Sequence, residues 1–185
     1  TLNYFSNSKK KKCINPKIIK KISIEILNSV NLIPWSGHMA TYAIKDIYTY
    51  IKSCKSTIIF VNTRAQAEYV FQNLWKINRD SLSIAIHHGS LDSQLRLNIE
   101  KKMFEGKLNC IVATSSLELG LDWSNVDLVM QIGAPKGISR IIQRIGRSNH
   151  DINKTSKAIL IPTNKFELYV YIKCALWMHW IPWTR

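Results

Sequence analysis

Two arginines three positions apart, Arg144 and Arg147, flank Gly146 in the stretch QRIGRSNH (143–150). A guanidinium group donates hydrogen bonds in a planar fork, a geometry that matches phosphate and carboxylate oxygens. The glycine permits a tight turn where the preceding helical run ends, which would hold Arg147 at the end of a rigid element. The spacing predicts a positioned cation for an anionic ligand. If that ligand is a nucleoside triphosphate, a phosphate-binding loop is expected elsewhere in the chain.

The sequence contains no such loop. The pattern G-x-x-x-x-G-K-[ST] is absent, because Gly106-Lys107 is followed by Leu108 and no glycine stands five residues before Gly106. No Asp-Glu pair suggests a magnesium site, and the four cysteines and five histidines complete no zinc spacing. We expect residues that contact a triphosphate but do not form its main binding site, and no metal-binding residues. We also expect the cysteines to be reduced, as in a cytoplasmic protein.

The run GISRIIQRIGR (137–147) predicts the helix that carries these arginines. Its four isoleucines share one face at i, i+3, i+4 and i+7, namely Ile138, Ile141, Ile142 and Ile145. Its polar side chains share the other face, namely Arg140, Gln143, Arg144 and Arg147. A solvated face is the alternative interpretation of that polar side, and it fits Arg140 best.

Asn62-Thr63-Arg64 follows a short, continuously apolar run that predicts a buried parallel strand. A polar pair at this place is typical of a helix N-cap, and Asn62 or Thr63 would fill that role. A cap does not account for Arg64, because a cation is unfavourable near the positive end of a helix. An anion bound at this N-terminus would offset that cost, so a phosphate site is the second interpretation.

The segment HHGSLD (87–92) follows the next strand run. In one interpretation Ser90 caps a helix that has Asp92 in its first turn. In the other, the backbone at Gly89 and Ser90 contacts a phosphate. We discount a catalytic triad of His88, Ser90 and Asp92, because such a triad is assembled in space rather than from neighbours in one turn.

The segment TSSLELGLD, which begins at Thr114, follows a third strand run. Ser115 and Glu118 fit a capping box. Thr114, Ser115 and the free amides of this turn equally fit a phosphate site at a helix N-terminus. Asp122, after Gly120, would cap the next turn or accept hydrogen bonds from a ribose.

Strand-like runs alternate with helix-period segments along the chain, which predicts an α/β fold with a mainly parallel sheet and helices on both faces. The strand runs are 21–27, 57–62, 82–86, 110–114, 126–132 and 158–162. A helical stripe is expected at Met39, Ala43, Ile47 and Ile51. We expect a basic tail or linker over 1–19, one domain over 20–164, and an amphipathic helix with a truncated tail over 165–185.

The net charge of +14 favours a polyanionic partner. A genome-driven excess of lysine is the alternative explanation for that charge.

Taken in order, TIIFVNTRAQAE, AIHHGSLD, IVATSSLELGLDW, DLVMQIGAPKG and QRIGRSNH resemble the second RecA-like lobe of superfamily 2 helicases. Within them they look like the Lhr-type group, in particular the DNA-ligase-associated DEXH-box helicases of bacteria, and PWSGH (34–38) also fits that group. The resemblance covers roughly residues 20 to 170. The phosphate loop and DEXH box of the first lobe are absent from this sequence, so we expect a piece of a longer protein.

The resemblance implies roles for three sets of residues. Contacts to the backbone of single-stranded nucleic acid are implied for Asn62, Thr63, Arg64, His88, Gly89, Ser90, Thr114 and Ser115. Approach to the nucleotide is implied for Gly120 and Asp122. The ATP cleft is implied for Gln143, Arg144 and Arg147, with Arg147 matching the arginine finger. His150 stands where the related DEAD-box pattern has a third arginine.

The resemblance also implies ATP and Mg²⁺, both held mainly by a first lobe present in cis or in trans. Its expected partners are single-stranded DNA, with RNA or a hybrid as alternatives, and DNA-repair proteins; its expected location is the bacterial cytoplasm, without membrane attachment. Two competing hypotheses remain at this point. One is a stand-alone nucleic-acid-binding remnant without ATPase activity. The other is a small-molecule α/β enzyme, for which the marker G-x-G-x-x-G is absent.

Overall fold

The computed structural model of the chain describes residues 22–117, 126–135, 137–148 and 155–180. Within these ranges six strands form one sheet: β1 (Ile22–Ile26), β2 (Thr57–Phe60), β3 (Ile84–His87), β4 (Cys110–Ala113), β5 (Leu128–Ile132) and β6 (Ser156–Ile161). Their order is β1-β6-β5-β2-β4-β3, and every neighbouring pair is parallel. The predicted α/β, RecA-like fold is confirmed.

In the described part of the chain, five α-helices accompany the sheet: α1 (Ile44–Ser53), α2 (Arg64–Ile77), α3 (Ser93–Phe104), α4 (Ile138–Ile145) and α5 (Lys165–Trp180). Short 3-10 turns lie at Thr41–Ala43 and Ser115–Leu117. None of these helices, as far as the structure describes them, combines the length and the apolar character that a membrane span requires.

Alternate residues of each strand point to opposite faces, and both faces are covered. Ile59 and Val61 pack in one cluster with the buried sides of α1 and α2. Ile58 and Phe60 pack in a second cluster with Ile99 of α3. Burial on both faces explains why these strands are continuously apolar rather than alternating.

The helices α4 and α5 cover the same face as α3, farther along the sheet. Ala158 of β6 is the register partner of Val129 of β5, which is in turn the partner of Ile58, so the three side chains share a face. Ala158 packs with Ile141 of α4 and with the fully buried Tyr171 of α5. The segment after residue 164 therefore contributes to the core.

The apolar stripe predicted at Met39, Ala43, Ile47 and Ile51 includes one residue, Met39, that lies before the helix. Ala43, Ile47 and Ile51 are fully buried as expected, but Met39 is exposed. The backbone at Ala40 has φ 51°, a left-handed conformation, and α1 begins only at Ile44. A left-handed residue interrupts the helical path, which leaves Met39 outside the stripe.

Candidate nucleic-acid interface

The carboxyl ends of β2, β4 and β3 lie side by side at one edge of the sheet, hereafter the carboxyl edge. The amide of Val61 donates to the Ala113 carbonyl at 2.9 Å, and the amide of Thr114 donates to the His87 carbonyl at 3.2 Å. These bonds bring together the segments after all three strands. All eight residues predicted to contact nucleic acid lie in these segments: Asn62, Thr63, Arg64, His88, Gly89, Ser90, Thr114 and Ser115.

Thr63 caps α2, in agreement with one of the two interpretations of this segment. Its hydroxyl accepts from the amide of Gln66 at 3.1 Å. Arg64 donates from Nε to Oε1 of Glu68 at 2.7 Å, one helical turn away. That hydrogen bond lowers the pKa of the Glu68 carboxyl, so the ion pair supplies an intrahelical counter-charge beside the helix N-terminus. The Arg64 side chain remains more than half exposed.

Asn62 joins the loop after β2 to the loop after β5. Its Nδ2 donates to the Ala134 carbonyl at 3.0 Å, and its backbone amide donates to Oε1 of Gln66 at 3.0 Å. Gly133 has φ +73°, and a Cβ there would lie 3.0 Å from Nδ2 of Asn62. A side chain at position 133 would therefore meet both backbone strain and the Asn62 amide.

The PWSGH segment (34–38) lies at the same edge. Nε2 of Gln66 donates to the His38 carbonyl at 2.5 Å, and Nδ2 of Asn164 donates to the Gly37 carbonyl at 3.0 Å. Gln66 thus binds both the loop after β2 and this segment. No role was predicted for Gln66, because a buried glutamine on a helix has no signature in the sequence.

His88 points inward, whereas Gly89 and Ser90 are exposed. Its Nε2 lies 3.7 Å from Oε1 of Glu68, and its Nδ1 is buried with no hydrogen-bond partner among the described residues. Desolvation by burial lowers the pKa of His88, and the Arg64 charge lowers it further. The exposed residues of this segment are Gly89, Ser90 and Asp92.

The expected N-cap at Ser90 is wrong. The helix α3 begins at Ser93, and Asp92 caps it by accepting from the amides of Gln94 at 2.9 Å and Leu95 at 3.3 Å. A turn closed by the bond from the Leu91 amide to the His88 carbonyl precedes the helix and delays its start. Ser90 is therefore not used for capping.

A buried histidine that sequence patterns did not reveal connects β3 to the turn after β4. Nδ1 of His87 lies 2.8 Å from Oγ of Ser116, and its Nε2 lies 2.8 Å from Oε1 of Glu100 on α3. His87 is separated from these partners by 29 and 13 positions along the chain, so no local spacing could reveal the group. Thr114 is half-buried and Ser115 is exposed in the same turn. Glu118 of the expected capping box lies outside the described residues.

The helix α4 buries Ile141 and Ile145, as predicted. Gln143 is exposed and Arg147 half-buried, but Arg144 is 2 % exposed. The Arg144 guanidinium donates to Oε1 of Gln131 and lies over the ring of Phe60. Arg144 thus belongs to the interior and not to the predicted polar face.

Gly146 does not adopt the special backbone turn that the sequence suggested. Its φ of −58° and ψ of −14° are helical, and the next two amides continue the turn by donating to the carbonyls of Arg144 and Ile145. The carbonyl of Ser148 accepts from Oγ of Ser156, the first residue of β6. The end of α4 therefore lies toward the amino ends of the strands, away from the carboxyl edge.

The two residues with expected nucleotide contacts, Gly120 and Asp122, lie outside the described residues, and so does His150. Within the described part of the chain, no three His, Cys, Asp or Glu side chains come together as a metal-binding group.

Comparison with known proteins gives a consistent result. The model of the helicase conserved C-terminal domain matches residues 42–150. The chain is 41 % identical over 125 residues to the ATP-dependent helicase Lhr-Core protein 2 of Thermococcus barophilus, covering 67 % of this chain and 14 % of that protein. It is 32 % identical over 179 residues to the ATP-dependent helicase Lhr-Core of Methanothermobacter thermautotrophicus, covering 93 % of this chain and 20 % of that protein.

The structure of Mycobacterium smegmatis helicase Lhr bound to ssDNA and AMP-PNP resembles this chain with a TM-score of 0.79 at 29 % identity. The match covers 87 % of this chain and 22 % of that one. The predicted resemblance to Lhr-type helicases is confirmed. The chain spans between 14 % and 20 % of the length of the two curated relatives named above.

Proposed function

The chain belongs to the helicase conserved C-terminal domain family, and on that premise we propose that it acts as the second lobe of an ATP-dependent DNA helicase. In this role the carboxyl edge binds the sugar-phosphate backbone of a single strand. Arg147 acts as the arginine finger toward ATP that a first lobe holds. The strand partner is proposed as DNA because the Mycobacterium smegmatis relative is bound to ssDNA.

One observation carries the strand-binding part of the proposal: three neighbouring strand ends present exposed donors at a single edge. Thr63, Arg64, Gly89, Ser90 and Ser115 are all exposed there. Backbone amides at the start of a helix and cationic side chains are the groups that proteins direct at phosphates. Contacts of this kind are independent of base sequence, as a translocating enzyme requires.

ATP is the proposed substrate of the complete enzyme. Gln143 is exposed and Arg147 half-buried at the far end of α4, so both are within reach of a ligand bound outside this lobe. The buried Arg144 acts differently: its bond to Gln131 and its position over Phe60 fix α4 on the sheet. The Mg²⁺ that accompanies ATP is assigned to the first lobe, since the described residues offer no carboxylate cluster for it.

The carboxyl edge and Arg147 are two separate sites on one lobe. Their separation suggests how ATP hydrolysis moves a strand. Lobe closure over ATP brings Arg147 to the γ-phosphate, where an arginine finger is worth roughly 10³–10⁵ in turnover. Closure also carries the carboxyl edge along the strand phosphates. Release after hydrolysis reverses the motion of the lobe.

Strand binding by the 185-residue chain tests the first half of this proposal. Fluorescence anisotropy with a labelled oligothymidylate should show binding at low salt that weakens steeply as salt increases, because phosphate contacts release counterions. Arg64→Gln should weaken binding and reduce the salt slope by about one unit. Lys101→Gln, which removes the same charge from an exposed site on α3, is the matched control and should change binding less.

Absence of binding at the lowest salt would contradict the proposal, as would equal losses in the two variants. The alternative is a stand-alone nucleic-acid-binding remnant without ATPase activity. Under that alternative, strand binding persists but no first lobe restores ATP turnover.

A further inference from the structure

Trp35 is an exposed tryptophan of the PWSGH segment, beside the start of α5. It is 69 % exposed, and Nζ of Lys165, the first residue of α5, lies 3.9 Å from the centroid of its ring. This cation–π contact holds the ammonium group over one face of the indole. Most of the ring surface remains in solvent, so the opposite face is open to a flat ligand.

Hydrogen bonds on both sides of Trp35 fix its backbone at the end of β6. The Pro34 carbonyl, just before it, accepts from the amide of Lys165 at 3.0 Å. The Gly37 carbonyl, two residues after it, accepts from Nδ2 of Asn164 at 3.0 Å. A side chain on a backbone that is already held in place loses less conformational entropy when it binds a ligand.

The carboxyl edge extends from the exposed donors after β2 to the neighbourhood of Trp35. His38, Thr63 and Thr163 line one cavity, so the PWSGH segment adjoins the segments that follow β2 and β6. β6 is the second neighbour of β2 in the sheet, and the two strand ends therefore lie about 10 Å apart. An oligonucleotide whose phosphates are bound after β2 can reach Trp35.

We propose that Trp35 stacks on an unpaired base of the bound single strand while the carboxyl edge contacts the phosphates of that strand. The inference rests on the proposed strand-binding function. Every base presents a π-face, so a stacking platform of this kind is independent of base sequence. Bases inside a duplex are already stacked on their neighbours, so Trp35 would favour a single strand over a duplex.

The chemistry around the ring favours a nucleotide over an apolar protein surface as its ligand. Ser36 and His38, close to Trp35 in the chain, are polar and exposed, and Lys165 is exposed beside the ring. No ion pair in the described part of the chain involves Lys165. An apolar surface would have to desolvate this charge, whereas a nucleotide brings a phosphate group to it.

Oligonucleotides with and without bases separate stacking from phosphate contact. An oligothymidylate is compared with an abasic oligonucleotide of equal length, which carries the same phosphates. Trp35→Ala should weaken oligothymidylate binding roughly 5- to 150-fold, the range for one stacked base, and should leave abasic binding unchanged. Trp35→Phe keeps a stacking ring and should recover most of the loss. Trp75→Ala removes an exposed tryptophan beside the first residue of β3, at the opposite edge of the sheet, and should bind both oligonucleotides like the unaltered chain.

A measurement on the unaltered chain covers the case in which Trp35→Ala does not fold. Irradiation of an oligonucleotide that carries iodouracil in place of thymine cross-links a base to an aromatic ring stacked on it, and peptide mapping should place a cross-link on Trp35.

Three outcomes overturn the inference and leave strand binding intact. Trp35→Ala binds the oligothymidylate like the unaltered chain, it weakens binding of the two oligonucleotides equally, or no cross-link maps to Trp35. The first outcome would assign the exposed ring to contact with another protein segment. Failure of the unaltered chain to bind the oligothymidylate at the lowest salt overturns the proposed function, and the inference with it.

Discussion

The guanidinium carbon of Arg144 lies 5.1 Å from the centroid of the Phe60 ring, inside the protein and between the sheet and α4. The same guanidinium donates to Oε1 of Gln131, a buried residue of β5. The two arginines of QRIGR, which look equivalent in sequence, therefore occupy different environments. Arg144 fixes the helix on the sheet, and Arg147 follows the end of that helix.

We expect Arg144→Met to lower the free energy of unfolding by about 1.5–3 kcal/mol, because it removes a charge-assisted hydrogen bond and leaves Oε1 of Gln131 without this donor. Urea unfolding followed by circular dichroism measures the change. Arg140→Met, at an exposed site on the same helix, is the control and should shift stability by no more than about 0.5 kcal/mol. Equal shifts in the two variants would show that the interior position of Arg144 contributes no stability.

Two polar residues before α3 provide a second test. Asp92 accepts hydrogen bonds from two amides of the first turn, whereas Ser90 lies outside the helix. Asp92→Ala should therefore destabilise the chain by about 1 kcal/mol, the usual cost of losing an N-cap. Ser90→Ala should leave the unfolding midpoint nearly unchanged, because the Ser90 side chain caps no helix. The reverse ranking in urea unfolding would restore Ser90 as the cap.

Sequence periodicity located the elements because the sheet is buried on both faces. β2 is apolar throughout. Of the four α2 residues whose spacing predicts one buried face, Ala67, Val70 and Leu74 are fully buried and Phe71 is partly buried. Strand-end segments were placed correctly for a topological reason. In a parallel sheet every strand end points to the same edge, so polar residues that directly follow strands converge there.

Side-chain direction at those ends was harder to predict, because it depends on partners far away in the sequence. His87 is bonded to residues 13 and 29 positions away, and Arg144 to a residue 13 positions away. The sequence HHGS does not show whether a histidine side chain points into the protein or toward solvent. Arg64 is a cation near the positive end of α2, and the sequence suggested a bound anion as its counter-charge. In the structure Arg64 has an ion pair with Glu68, one turn along the same helix.

Alkaline pH should destabilise the chain partly through Tyr42. Its hydroxyl donates to the Pro162 carbonyl at 2.6 Å, and burial, followed by the charges of Glu167 and Asp46, raises its pKa to about 12. A phenol with a raised pKa in the folded state stabilises the fold below its unfolded value of 10.0, and that contribution is lost as pH rises toward 12.

The unfolding free energy should therefore decrease more steeply with pH in the unaltered chain than in Tyr42→Phe over that interval. Urea unfolding at a series of pH values measures both slopes, and the lysines and other tyrosines contribute equally to each. Parallel curves would show that the Tyr42 hydroxyl does not titrate with unfolding.

The last prediction concerns Arg147 and ATP. The isolated chain should show no ATP hydrolysis, because its sequence contains no phosphate loop to hold the nucleotide. When a first lobe from an Lhr-type helicase is fused to it or added in trans, Arg147→Ala should lower strand-stimulated turnover by roughly 10³–10⁵, the usual contribution of an arginine finger. Arg147→Lys should restore little, since an ammonium group cannot reproduce the planar fork. Arg140→Ala, on the exposed side of α4, should retain turnover, and strand affinity in all variants should remain close to that of the unaltered chain. If the purified chain alone hydrolyses ATP and Arg147→Ala abolishes that activity, the proposal that a separate first lobe holds the ATP is contradicted.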